Sequence, residues 1–259
     1  MKLFDGMATE EVIRRVTDVW GGSDGTTHID VDSDGKGVHK MYEGTWRRAL
    51  SEGREEFGDT VVHRRFLDRL GFGIGQRVLE VGCGTGLIVD FLCRRGFKAS
   101  GVDISTTAIG YGLDRPVKRD LRYGSATAIP FPHHTFDVVV SFDLMEHLGD
   151  VNLHLAEVSR VLKPGGSYFF ETPHKLTNAI WETVRSRSLG WRRYHPSLQW
   201  PGELRRRLVR HGFSVFFCKV DIRSEYLNKK IGRTLGRFNF RLLPRWFQPN
   251  LYVVAELRG

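Results

Sequence analysis

The chain has little cysteine: three in 259 residues, at positions 83, 93 and 218. None forms a C-x-x-C pair, which excludes a disulfide framework and suits a reducing cytoplasm. No apolar run approaches the ~20 residues that a membrane-spanning helix needs, and no apolar signal core follows the first residues, so a cytoplasmic location is expected. Internal repeats are also lacking. What is present is 41% hydrophobic residues, enough for a real core, in a length that suits one large domain or one domain with an appendage. Lysine and arginine outnumber acids by 39 to 30, a formal +9 whose location matters more than its sum.

From residue 60 onward the patterns of strand and helix alternate. Strands are expected at 76–81, 98–103, 136–142, 166–172, 213–220 and 250–257, with helices at 86–95, 105–112, 150–162, 176–187 and 201–211. This alternation predicts an α/β fold, a mostly parallel sheet with helices on both faces. Thr60 is placed to cap a further helix with Val61, Phe66, Leu67 and Leu70 on its apolar face. Residues 1–57 hold two helical patterns, 9–19 and 45–56, around a polar, glycine-rich stretch. They are read as a helical cap over the ligand crevice of a 58–259 domain, with a loose tail as the alternative.

The most informative stretch is Val78-Leu79-Glu80-Val81-Gly82-Cys83-Gly84-Thr85-Gly86, followed by Gly101-Val102-Asp103. It reads as a buried strand, a tight glycine turn and a helix start, then a second strand ending in an acid placed to accept from ribose hydroxyls. A dinucleotide fingerprint needs G-x-G-x-x-G or A, and counting from Gly82 its third small residue would fall on Leu87. The pattern is instead E-x-G-x-G-x-G, with an acid before the turn that suits an ammonium and would repel pyrophosphate.

That pattern resembles motif I of the class I S-adenosylmethionine-dependent methyltransferases. Three further segments keep the register of the family: Ala126-Thr127-Ala128-Ile129-Pro130-Phe131, Phe136-Asp137-Val138-Val139-Val140-Ser141 and Arg160-Val161-Leu162-Lys163-Pro164-Gly165-Gly166. The resemblance implies a Rossmann-like seven-stranded fold with an antiparallel last strand, and S-adenosylmethionine as cofactor. It assigns Glu80, Gly82, Cys83, Gly84 and Gly86 to the amino-acid end. Asp103 falls to the ribose, Ile104, Ser125 and Ala126 to the adenine side, and Phe142 completes the cofactor-binding set. Ser125 departs from the family, which often has an acid there, and a plain turn residue is the other reading.

Asp143-Leu144-Met145-Glu146-His147 follows the fourth strand, at the carboxyl edge where open α/β sheets bind ligands. The quinone-biosynthesis O-methyltransferases are similar in having an acid-x-x-Glu-His element there, and His195 ahead of Pro201-Gly202-Glu203-Leu204 matches a later histidine of theirs. Three readings stay open, one of them a purely structural role for these residues. Asp143, Glu146, His147 and His195 could hold a divalent cation, magnesium or zinc, that lowers the pKa of a phenol. Otherwise His147 and His195 act without metal, as pocket residues or as a general base. His174, at the end of the fifth strand, is a weaker alternate ligand. Asp30-Val31-Asp32-Ser33-Asp34-Gly35 copies the start of a calcium loop, but Met41 stands at its twelfth position, so it is read as a solvated turn.

Segment 221–249 carries seven lysines and arginines against two acids, a net +5. Lys229, Arg233, Arg237, Arg241 and Arg245 recur every four residues, with Ile231, Leu235, Phe238 and Leu242 on another face. This basic amphipathic insertion suits either peripheral contact with an anionic membrane through 223–247 or a helix packed on the sheet with its arginines in water. No nucleic-acid recognition motif accompanies it. The expected activity is methylation of a small-molecule acceptor, in the first place at oxygen of a phenolic or lipid-like compound. RNA methylation and a non-catalytic cofactor-binding module are the rivals.

Overall fold

Val78, Leu79 and Val81 are fully or almost fully buried, as expected of a strand covered on both faces of a parallel sheet. In the computed structural model this strand, β1 (Arg77–Val81), lies near the middle of a seven-stranded sheet. The structure describes residues 35–57, 60–68, 73–116, 119–186, 195–218 and 250–259. The other strands are β2 (Lys98–Asp103), β3 (Asp120–Tyr123), β4 (Phe136–Ser141), β5 (Leu162–Pro173), β6 (Phe213–Cys218) and β7 (Asn250–Leu257). Their order is β3-β2-β1-β4-β5-β7-β6. Pairings from β3 through β5 are parallel, whereas β7 runs antiparallel to both β5 and β6. The expected α/β, Rossmann-like seven-stranded fold with an antiparallel last strand is the one observed.

The helices are α1 (Gly35–Ser51), α2 (Thr60–Asp68), α3 (Leu87–Arg94), α4 (Thr106–Leu113), α5 (Val151–Val161), α6 (Lys175–Ser186) and α7 (Pro201–Arg210). One core cluster joins the sheet to α5 and α7 through Leu155, Val158, Leu204 and Leu208. The other joins it to α2, α3 and α4 through Phe66, Ile88, Leu92 and Ile109. Chain order reverses between β1 and β4, which are hydrogen-bonded neighbours although β2 and β3 intervene in sequence. Ligands of such sheets bind in the crevice at that reversal, outside the carboxyl ends of the strands.

Three expectations need correction. The first described helix runs over 35–51, not 45–56, so much of the glycine-rich stretch is helical; Met41, the supposed twelfth position of a calcium loop, lies within it. Its inward residues Glu43, Trp46 and Ala49 are spaced by three, and their tertiary contacts outweigh the helix-weakening glycines. On α2 the buried residues are Val62, His63, Phe66 and Leu67, while Val61 is 54% exposed; the Thr60 hydroxyl donates to Glu56 Oε2 at 2.6 Å. The short edge strand β3 was not expected. The helical pattern at 9–19, Asp30–Asp34, Leu70 and the basic insertion at 221–249 lie outside the described residues.

Candidate active site

At the end of β1 the chain makes the glycine turn. Gly82, Gly84 and Gly86 have φ of 77°, 51° and 78°, in the left-handed region that glycine adopts without strain. Gly84 is also required by space: a Cβ there would lie 2.5 Å from the Trp46 ring on α1. Gly86 then caps α3. The turn is held by Asp103 at the end of β2, whose Oδ2 accepts from the Gly84 amide and Oδ1 from the Ser105 amide, each at 2.8 Å. Each oxygen keeps a second lone pair for a ligand hydroxyl.

Glu80 projects from β1 into the same space. It is 5% exposed and its Oε2 has no hydrogen-bond partner. Burial, and then the charge of Asp103, push its carboxyl well above the usual carboxylate range. An orphaned buried acid oxygen fits a ligand ammonium, which would satisfy it. Burial likewise raises the Cys83 thiol, so it is no thiolate nucleophile.

A cavity of about 320 Å³ opens over this turn. Glu80, Gly82, Cys83, Gly84, Asp103, Ile104, Ala126, Phe142, Asp143 and His147 line it, as does Leu144. Gly86, Ser125, Glu146 and His195 do not. Gly86 shapes the turn from beneath. The Ser125 hydroxyl is engaged with Thr127, at 2.8 Å from Oγ1 and 3.1 Å from the amide, which is the plain-turn reading.

The opposite wall was missed in the sequence. Tyr42, Thr45 and Trp46 from α1, Phe57, and Thr60 and His63 from α2 all face the cavity. Trp46 and Phe57 meet edge to face with ring centroids 4.6 Å apart. Glu43 fixes α1 in place: its Oε1 accepts from the Thr106 amide at 2.5 Å and hydroxyl at 3.0 Å, at the positive end of α4. Spacings of three and four, at Glu43, Trp46, Ala49 and at Val62, His63, Phe66, Leu67, were the available signal.

The four residues read as a cation site are not gathered into one ligand sphere. No three of Asp143, Glu146, His147 and His195 bring ligand atoms within 4.8 Å of one another; among the described residues the group that does is His63, Asp143 and Glu171. A single 3₁₀ turn (Met145–His147) follows Asp143, whose φ of 47° takes it off the helical path on which i and i+3 would share a face. Glu146 turns inward, accepting from Thr172 Oγ1 at 3.1 Å; burial and then Asp143 push its carboxyl up to about 8. His147 and His195 do come together, with ring centroids 4.9 Å apart. His195 Nδ1–H donates to Asn178 Oδ1 at 3.3 Å, and the Ser197 amide donates to the Glu146 carbonyl at 3.0 Å, tying this segment to the site. His174 is occupied elsewhere, accepting at Nδ1 from the Leu176 amide at 3.2 Å.

A family described as "Methyltransferase domain" matches residues 79–170. A protein of Mycolicibacterium smegmatis named as a probable S-adenosylmethionine-dependent methyltransferase is 34% identical over 117 residues, covering 45% of this chain and 44% of that protein. A ubiquinone biosynthesis O-methyltransferase of Chelativorans sp. is 32% identical over 110 residues, covering 41% and 44%. The match thus spans under half the length of either relative. Among solved structures, phosphoethanolamine N-methyltransferase 2 of Haemonchus contortus in complex with S-adenosyl-L-methionine superposes with a TM-score of 0.56 at 21% identity, covering 76% of this chain and 52% of that one. At that identity the superposition speaks for the fold.

Proposed function

We propose that this chain, whose residues 79–170 match the methyltransferase domain family, uses S-adenosylmethionine to methylate an oxygen of a small phenolic or lipid-like acceptor. The observation that carries the reading is that one cavity joins the glycine turn, Glu80 and Asp103 to His147 and an aromatic wall of Tyr42, Trp46, Phe57 and Phe142. The O-methyltransferase name of a relative supports oxygen as the acceptor atom. Magnesium or zinc beside the cofactor and contact of 223–247 with anionic membrane are further parts of the reading that follow from the sequence.

Bound S-adenosylmethionine supplies a sulfonium-activated methyl, so no acid is needed to expel the leaving thioether. Glu80 and the turn amides would hold its amino-acid end, Asp103 its ribose, and Ile104 and Ala126 its base. The walls do the positioning, bringing acceptor oxygen and methyl into line, which is where most of the rate comes from. His147 takes the acceptor proton, with Glu146 Oε1 3.8 Å from its Nε2. Such a base contributes about 10²–10⁴-fold.

The test is release of S-adenosylhomocysteine with a catechol-type acceptor and an isoprenoid phenol, beside calorimetric binding of S-adenosylhomocysteine alone. His147→Asn should lose about 10²-fold or more in kcat with cofactor affinity unchanged. Full turnover in that variant removes the base, and tight cofactor binding without turnover on any acceptor returns the chain to the binding-module reading.

A further inference from the structure

Three elements far apart in sequence bring ionisable groups to one point on the cavity wall. His63 comes from α2, Asp143 from the turn after β4 and Glu171 from β5. His63 Nε2 lies 3.8 Å from Asp143 Oδ2 and 3.7 Å from Glu171 Oε2, and one ligand atom from each falls within 4.8 Å of the others. We propose that these residues hold a divalent transition-metal ion, of the zinc or manganese kind, in the wall of the acceptor cavity.

The donor set is one imidazole nitrogen and two carboxylates, which suits zinc, manganese or ferrous iron rather than calcium, which takes six to eight oxygens. Glu171 supplies the second, independent observation. It is wholly buried, and its Oε1 has no hydrogen-bond partner although the carboxyl faces His63 and Asp143. Its Oε2 takes a long hydrogen bond from the Asp143 amide, at 3.3 Å, and the Glu171 carboxyl also shares a side-chain hydrogen bond with Asp143. Two acids side by side in a dry site repel each other, and burial and then Asp143 raise Glu171 well above the usual range. A cation removes both penalties at once. The imidazole is pre-set: His63 is 3% exposed and stacks on Phe142 at 4.3 Å between centroids and 13° between planes. His63 and Asp143 line the cavity, so open positions of such an ion would face an entering ligand. The site shares only Asp143 with the four residues singled out in the sequence. The binding claim does not depend on methyl transfer; only the use of the ion to engage an acceptor oxygen rests on that reading.

The experiment is calorimetric titration of Zn²⁺ and Mn²⁺ into the chelator-treated full chain, with Co²⁺ absorption as a second readout. The wild type should bind one equivalent. Glu171→Gln, which keeps size and shape, and His63→Gln should each weaken binding at least about tenfold, the scale at which even outer partners of a metal matter, and should lose the Co²⁺ bands. His147→Asn and His195→Asn should leave both readouts as in the wild type. Thermal melts of the metal-free variants identify any that fail to fold, and Glu171→Gln carries the test if His63→Gln does. No binding by the wild type overturns the proposal. So does binding that survives Glu171→Gln, or that is lost in His195→Asn while Glu171→Gln retains it, which would restore the four residues read from sequence. Absence of metal binding leaves S-adenosylhomocysteine release standing, and absence of turnover leaves the titration standing, so the two readings fail separately.

Discussion

Two buried polar clusters sit on β4 and β5 a few residues apart, and they differ in one respect. In the first, Ser141 donates to Tyr168 Oη at 2.6 Å, the Tyr168 hydroxyl donates to His154 Nε2 at 2.9 Å, and His154 Nδ1–H donates to the Ala126 carbonyl at 2.9 Å. Ser141, His154 and Tyr168 are all 0% exposed, each donor finds an acceptor, and the chain pins the Ala126 loop to the sheet. In the second, His63 stands 3.8 Å from Asp143 and 3.7 Å from Glu171, and a wholly buried Glu171 oxygen is left without a partner. Burial alone therefore does not mark a site. The satisfied relay is architecture that positions a cavity residue, and the cluster with the unpartnered Glu171 oxygen is the one whose geometry asks for a ligand.

The largest effect that sharpens this contrast is acid lability of the relay. Burial pushes His154 from its ordinary 6.5 down to about 4, so the folded state resists protonation that the unfolded chain accepts. The sign follows: this contribution is full above pH 6.5 and is lost as pH falls towards 4. At about 1.4 kcal/mol per pH unit it amounts to about 3 kcal/mol. A buried acid near the second cluster works the opposite way. Glu146, raised to about 8, disfavours folding as pH rises from about 4.5 towards 8. The readout is therefore the difference in unfolding free energy between wild type and His154→Gln, followed by denaturant titration across pH 4 to 7. A difference that stays flat would mean that His154 is not buried neutral. Next in size is Tyr168→Phe, which strips the hydroxyl from the middle of the relay and leaves two buried groups unpaired. It should cost about 1–3 kcal/mol at neutral pH; a neutral effect would break the claim that the relay is structural.

How much of this was legible follows from where each stabilising contact lies. The glycine turn and Asp103 could be read because their partners are close in sequence and their strands are long apolar runs. β3 was missed because Asp-Leu-Arg-Tyr is a four-residue edge strand with a single fully buried residue, Leu121, too short for any period to show. α1 was hidden by Gly35, Gly37 and Gly44, each worth about 1 kcal/mol against a helix; it is held by Glu43 on α4 and Trp46 on Gly84, contacts that span 63 and 38 residues. The cation quartet is not gathered into one group, for a local reason. Its spacing assumed a helical turn, and the left-handed Asp143 sends that side chain to His63 and Glu171 instead. His63 on a buried helix face and Glu171 directly after Tyr168-Phe169-Phe170 were visible as polar residues beside apolar ones, but nothing in the sequence says that they meet.

The smallest expected effect is the most discriminating. If Glu171 holds a proton in the metal-free protein, Glu171→Gln replaces one neutral hydrogen-bonding group with another of the same shape. Unfolding at neutral pH with chelator present should then shift by less than about 1 kcal/mol, well below Tyr168→Phe. If Glu171 is instead an ionised partner that His63 needs, removing it strands a buried charge, and the loss should reach about 3–5 kcal/mol. That outcome would make the triad as structural as the relay. A small change measured together with loss of the Co²⁺ bands would separate binding from architecture at one residue, because the same oxygen that folding can do without is the one that a cation requires.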